Sequence, residues 1–313
     1  MLARLQQAIT LTLLGSAFAW AFWWAQQGRP LVAAAGALLI ALGYALVLAI
    51  EFVILSRVHG DDPTPKASLR ELVAAWWGEV THSPVIFCWR QPFVPNAVPD
   101  RPEAAGRRGV VLIHGFVCNR GFWTPWMRRL RARGVPFVAV SLEPVFGSID
   151  HYADLVEAAV RRLELGTGQA PVLVCHSMGG LAARAWLRRE QADARVHRVI
   201  TIGTPHRGTH LGRHGRTLNT RQMGLDSPWL QQLTAAEPPE RYRRFTCFYS
   251  NCDNIVFPPA VASLPGAVNL HLPGWAHVHM VHHPQVFNEV LASVGAASTV
   301  APGADRGADV AAR

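Results

Sequence analysis

The chain has 313 residues, 50% of them hydrophobic, and a formal net charge of +9, enough for one large domain or a medium one with appendages. Its arginines scatter through helical segments and no nucleic-acid motif appears. A nucleic-acid binder is therefore not expected, and attraction to anionic lipid headgroups accounts for the charge. Cys88, Cys118, Cys175, Cys247 and Cys252 form no C-x-x-C pair and no even framework, which argues against structural zinc and a disulfide scaffold.

Residues 8–25 are apolar apart from Thr and Ser, and residues 31–55 are apolar with one charge, Glu51. Each run is long enough for about 30 Å of hydrocarbon, so residues 1–58 read as a transmembrane helical hairpin. Trp20, Phe22, Trp23 and Trp24 suit an aromatic belt, and Gln26-Gln27-Gly28-Arg29-Pro30 suits a tight polar turn. The alternatives are a buried helical pair and a signal peptide cleaved at Ala17-Phe18-Ala19, although the apolar run continues past that site. Arg4 before the hairpin and Arg57, Lys66 and Arg70 after it place both ends in the cytoplasm by the positive-inside rule. The expectation is a multi-pass inner-membrane protein with a cytoplasmic C-terminal domain.

Residues 59–108 read as a linker: a Pro/Asp stretch at 61–65, a helix over 69–77, a candidate first strand at 84–89 and a surface loop over 92–108. From Gly109 strands and helices alternate. Strands are expected at 110–113, 136–141, 172–175 and 196–202, with helices at 123–133, 149–163 and 178–189 between or after them. Strands at 245–250 and 267–272 and a helix at 285–293 follow. This is the rhythm of an α/β, doubly wound, mostly parallel sheet over 109–295. The alternation breaks over 209–244, an Arg- and Gly-rich segment that is either a lid or an ordinary connection. Residues 296–313, rich in Ala, Gly and Asp, read as disordered.

Reactive groups of such a sheet gather beyond the carboxyl ends of its strands. Ser177 lies where the β-branched run Val172-Leu173-Val174-Cys175 turns through Ser177-Met178-Gly179-Gly180 into an Ala-rich helix. That is a strand–nucleophile–helix turn, with a hydroxyl at the helix N-terminus. Cys175 stands where G-x-S-x-G has its first glycine, a small residue where two backbones approach closely. His114-Gly115-Phe116 follows the first certain strand, so the Phe116 and Met178 N–H groups are the candidate oxyanion hole. His114 itself reads as a loop-stabilising residue. Asp253 follows the strand at 245–250 and is the candidate acid; Asp226, in the irregular segment, is its rival. Of His277, His279, His282 and His283, His277 comes soonest after the last strand and is the candidate base, with His282 the alternative. No carboxylate or cysteine sits at ligand spacing from these histidines, so no metal is expected.

The order Ser177, Asp253, His277 resembles the α/β-hydrolase superfamily, and among its members the small bacterial triacylglycerol lipases and esterases. The matching segments are His114-Gly115-Phe116, Cys175-His176-Ser177-Met178-Gly179-Gly180, Gly203-Thr204-Pro205-His206-Arg207-Gly208-Thr209, Asp253-Asn254-Ile255-Val256, and His277 with Pro284-Gln285-Val286 beyond it. Nothing in the hairpin matches, and His282-His283-Pro284 departs from the small polar pair usual before Gln-Val. The resemblance implies hydrolysis of a lipid-like carboxylic ester through an acyl-enzyme, with no cofactor. The same residues would serve an acyltransferase, a thioesterase or a polyester depolymerase. A reading of another class is a tethered binding protein that keeps an inactive hydrolase fold.

Overall fold

The structure, a computed structural model, describes residues 1–295; the expectation for 296–313 lies outside them. The strands are β1 (Val110–Ile113), β2 (Phe137–Ala139), β3 (Val172–His176), β4 (Arg198–Ile202), β5 (Phe245–Tyr249) and β6 (Val268–His271). They form one sheet in the order β2-β1-β3-β4-β5-β6, and every neighbouring pair is parallel. A parallel sheet needs both faces covered, and the side-chain alternation of each strand supplies two apolar faces. Val111, Ile113, Leu173 and Val199 pack on one side, against α7 (Ala153–Thr167) and α8 (Met178–Glu190). Val110, Leu112, Val174 and Ile200 pack on the other, against α6 (Thr124–Ala132) and α11 (Pro284–Ser293). The chain steps from β1 to β2 and then returns to β3 on the other side of β1, which opens a crevice at the carboxyl ends of β1 and β3.

The N-terminal part differs from two straight membrane helices. α1 (Leu2–Gln26) is long and apolar enough to cross a membrane by itself, and little of it is buried. The second apolar run is instead a pair, α2 (Pro30–Leu42) and α3 (Tyr44–Arg57), bent by 52°. The bend falls at Gly43, where an added Cβ would lie 2.8 Å from the Leu39 carbonyl oxygen, a site that permits a sharp kink. Beyond it α3 leans onto the sheet domain, burying Phe52 and Leu55 against Cys252, Phe257 and Ala276. Hydrogen bonds from Tyr44 Oη to the Val80 carbonyl (2.9 Å) and from Trp76 Nε1 to the Ala45 carbonyl (2.9 Å) hold α3 to α4 (Leu69–Pro84).

The strand expected at 84–89 is a π-helix, Val85–Arg90, that continues α4 and leads into the short α5 (Gln91–Phe93). Val85 and Ile86 carry β-branched side chains, but no sheet edge lies beside them. Ile86 packs instead into the core with Phe122 and Trp126, and tertiary contact overrides the local preference. Residues 59–108 are thus not a free linker: Ala75, Glu79 and Gln91 are buried.

The segment 209–244 contains α9 (Leu218–Gln222) and α10 (Pro228–Ala235) and is fastened down. Arg184 of α8 and Glu237 form a fully buried ion pair at 2.5 Å, and Thr234 Oγ1 accepts a further bond from Arg184 (3.0 Å). Asn219 Nδ2 donates to the Val145 carbonyl at 2.7 Å.

Candidate active site

Ser177 is the single residue between β3 and α8, with φ 53° and ψ −130°. Positive φ is costly for a residue with a Cβ and persists only where the surroundings impose it. Here the Ser177 N–H donates to the Ile202 carbonyl (2.9 Å), and its own carbonyl accepts from Thr204 Oγ1 (2.9 Å). The next turn passes so close to β1 that a Cβ on Gly179 would lie 2.5 Å from the Ile113 carbonyl oxygen. Cys175 points into the core beneath the turn, and burial raises its thiol pKa far above the ordinary value. It is a packing residue.

Asp253 sits in the turn after β5, where Oδ1 accepts the Ile255 and Val256 N–H groups at 3.0 and 2.8 Å. Oδ2 lies 2.9 Å from His277 Nδ1. Both side chains are buried. Burial alone would depress the imidazole pKa, but the Asp253 carboxylate, with Glu79 and Glu51 farther off, outweighs it, so the His277 pKa lies above its ordinary value. Gly203, at φ +56°, passes directly against the pair: a Cβ there would lie 2.8 Å from Asp253 Oδ2.

His114 stabilises the loop after β1. Its Nε2 accepts the Leu142 N–H at 2.9 Å, which leaves Nδ1–H to donate to the Gly115 carbonyl at 2.8 Å. Burial pushes its pKa down to about 4, so the ring stays neutral in this role. Phe116 follows, and Met178 opens α8, where the first N–H groups have no partner within the helix.

Ser177, His277 and Phe116 meet on one cavity of about 590 Å³ at the mouth of the β1–β3 crevice. Its far wall is built by Leu13 of α1, Ala41 and Leu42 of α2, and Val47 and Leu48 of α3. No residue of 209–244 lines it. Of the two readings of 209–244, the ordinary connection fits better: the segment is held by the Arg184–Glu237 pair, and the N-terminal helices line the cavity instead.

Among the four late histidines, only His277 meets Asp253. His282 turns instead toward His82 (ring centroids 5.1 Å), and His279 stacks on His82 at 4.3 Å. Burial and then the like charge of neighbouring histidines push His279 and His282 down to about 4. His283 caps α11, accepting the Gln285 N–H at 3.2 Å. Asp226, the rival acid, is a positive-φ turn residue outside the cavity.

Sequence reasoning missed four residues around this pair. Glu79, buried on α4, accepts the Val278 and His279 N–H groups at 3.2 and 3.1 Å. Burial raises its pKa to about 7. Asn254 Oδ1 accepts the His277 N–H at 3.2 Å, while its Nδ2 donates to Glu51 of α3. His176 donates from Nε2 to the His277 carbonyl at 3.1 Å. Glu51 carried a signal, being the one charge in an apolar run; the other three carried none that spacing reveals.

A family model described as "Alpha/beta hydrolase family" matches residues 110–277, from β1 to His277. The chain belongs to the alpha/beta hydrolase family. Among solved structures this hydrolase resembles the mature form of Bacillus licheniformis lipase BlEst2, with TM-score 0.51 and 18% identity over 57% of this chain and 88% of that one. The propeptide form of the same lipase gives TM-score 0.53 at 18% identity, over 66% of this chain and 54% of that one. Likeness at this identity establishes the fold alone. No curated protein matches the sequence. The matched region begins after the N-terminal helices, so the cavity's far wall lies outside what the family model covers.

Proposed function

We propose that the protein is a membrane-anchored serine hydrolase of carboxylic esters, with Ser177 as nucleophile, His277 as base and Asp253 as the acid that orients it. The observation that carries this reading is the 2.9 Å contact between His277 Nδ1 and Asp253 Oδ2, on a histidine that shares its cavity with Ser177. With Nδ1–H held by the carboxylate, Nε2 is left as the acceptor, the tautomer a general base requires.

His277 Nε2 takes the Ser177 proton as Oγ attacks the ester carbonyl carbon. The oxygen of that carbonyl becomes an oxyanion, to which the N–H groups of Phe116 and Met178 donate. Collapse of the tetrahedral intermediate breaks the ester C–O bond, and the imidazolium returns the proton to the departing alcohol. Water, deprotonated by the same imidazole, then cleaves the acyl-enzyme and frees the carboxylic acid and Ser177. No cofactor enters these steps.

Anchoring in a membrane is supported by α1, a long apolar helix with Leu11, Leu14, Phe18 and Phe22 exposed. The arginine distribution favours the cytoplasmic side for the catalytic part.

The test is fluorophosphonate labelling together with p-nitrophenyl ester turnover by the full chain in detergent. Wild type labels and turns over, whereas Ser177→Ala does neither. Normal turnover by Ser177→Ala sinks the reading, and a wild type that neither labels nor turns over supports an inactive binding protein instead.

A further inference from the structure

The cavity wall opposite Ser177 comes from outside the family region, and its chemistry is one-sided. Leu13, Ala41, Leu42, Val47, Leu48 and Phe87 present only hydrocarbon. Of the polar side chains from outside the family region that reach the cavity, three are already engaged within the protein, and Ser83 and Cys88 add one hydroxyl and one thiol. Tyr44 Oη donates to the Val80 carbonyl, Glu51 accepts from Asn254, and Glu79 accepts the Val278 and His279 N–H groups. A sugar, peptide or polar headgroup lodged there would lose its water and gain few partners, which disfavours it. The rim is apolar as well: Leu13, Leu42 and Val47 are 46%, 51% and 58% exposed. The volume of about 590 Å³ far exceeds what an acetyl group fills.

We infer that the N-terminal helices build the seat for a long acyl chain, so the substrates are long-chain acyl esters and residues of α1–α3 set the chain-length preference. This rests on Ser177 being the nucleophile. The acyl carbonyl sits between Ser177 and Phe116, and the chain runs along Val47 and Leu48 toward the rim at Leu13 and Leu42. Burying each further methylene in such a seat raises kcat/KM by up to about fourfold, until the chain outruns the wall.

The experiment compares p-nitrophenyl acetate, octanoate and palmitate as substrates of the full chain in detergent, with fluorophosphonate labelling as a check on fold and nucleophile. Two variants, Leu48→Trp and Ala41→Trp, fill the cavity from different helices. Leu218→Trp changes an exposed residue of α9 away from the cavity and serves as control. The long-chain esters are expected to be preferred by wild type. The ratio of kcat/KM for palmitate to that for acetate should fall at least tenfold in whichever filled variants still label, and stay within twofold in Leu218→Trp. Should neither filled variant label, Leu48→Ala and Leu42→Ala replace them, and the same ratio should fall at least threefold.

A wild type that labels but shows no rise with chain length overturns the inference and leaves the serine reading standing. So does an unchanged ratio in labelled variants, or a ratio that responds to Leu218→Trp instead. Failure of wild type to label, or turnover of acetate by Ser177→Ala, marks failure of the serine reading itself.

Discussion

Glu51 accepts a hydrogen bond from Asn254 Nδ2 at 2.7 Å across 203 positions of sequence, and Asn254 Oδ1 in turn accepts the His277 N–H at 3.2 Å. A side chain on a helix in the N-terminal apolar region therefore sets the backbone position of the candidate base. With Glu79 bonding the next two N–H groups, three successive amides of the His277 loop are held by side chains.

Asn254→Ala removes the link between α3 and this loop. A hydrogen bond to a charged partner is worth about 1.5–3 kcal/mol, so kcat is expected to fall by about 10- to 100-fold while KM changes little. Steady-state kinetics on a long-chain and a short-chain ester check this; a fall confined to KM would place Asn254 in substrate binding instead.

The neutral imidazole is the working form, and the anions around His277 favour its protonated form. The acidic limb of kcat/KM should therefore lie above the ordinary histidine pKa of about 6.5. Glu79→Gln removes a carboxyl that favours the imidazolium once ionised, and should move the limb toward lower pH. Asp253→Asn removes the nearest one and also the tautomer control, with a loss in kcat of about 10⁴. A pH profile of each variant on one soluble ester makes the comparison.

Stability should fall with acid. His114, His279 and His282 are held near pKa 4 in the folded protein, whereas an unfolded histidine titrates near about 6.5. Between those values the unfolded chain binds more protons, so stability is present above the upper value and is lost as pH falls through the window. Glu79, raised to about 7, works in the opposite sense, its contribution being lost as pH rises toward 7. His277, with its raised pKa, opposes the trend as Glu79 does, but the buried His176 and His206, both lowered, join the other three, so the net slope is downward in acid. Thermal scans in detergent at pH 7 and pH 5 should show the lower Tm at pH 5.

The positive φ of Ser177 stores strain that an alanine keeps and a glycine releases. Both Ser177→Ala and Ser177→Gly should be inactive, with Ser177→Gly the more stable of the two by up to about 1 kcal/mol. Differential scanning calorimetry of the pair reads the difference directly.

Arg184 and Glu237 are each fully buried, and deleting Arg184 leaves Glu237 with only Arg241, 3.7 Å away, as a cationic partner. Arg184→Met should destabilise the protein by about 3–5 kcal/mol. Limited proteolysis should then cut within 209–244, and leave that segment intact in the wild type.

The candidate residues easiest to read are those whose meaning is local. Ser177 announces itself by a β-branched run ending in small residues, because a close strand–helix turn tolerates little else. Asp253 and His277 follow from their places after strands. The π-helix at Val85–Arg90 was not legible, since Val85 and Ile86 have strand character and only the packing of Ile86 against Phe122 opposes it. Glu79 was hidden for a related reason: a glutamate on a helix is ordinary until the fold brings two distant amides to it. The bend at Gly43 was equally silent, because a glycine in an apolar run signals a kink only when α4 is there to receive the turned helix.

The docking of α3 and α4 bears on where this chain can be divided. A fragment starting at Gly109 would retain Ser177, Asp253 and His277 and the whole family-matched region. It would also lose Glu51 and Glu79, strip the cover from Phe257 and Ala276, and open one side of the cavity to water. The N-terminal helices and the sheet domain share one packed interface, so redesigning the outer faces of α1 and α2 with α3 and α4 kept is expected to preserve the site better than truncation does.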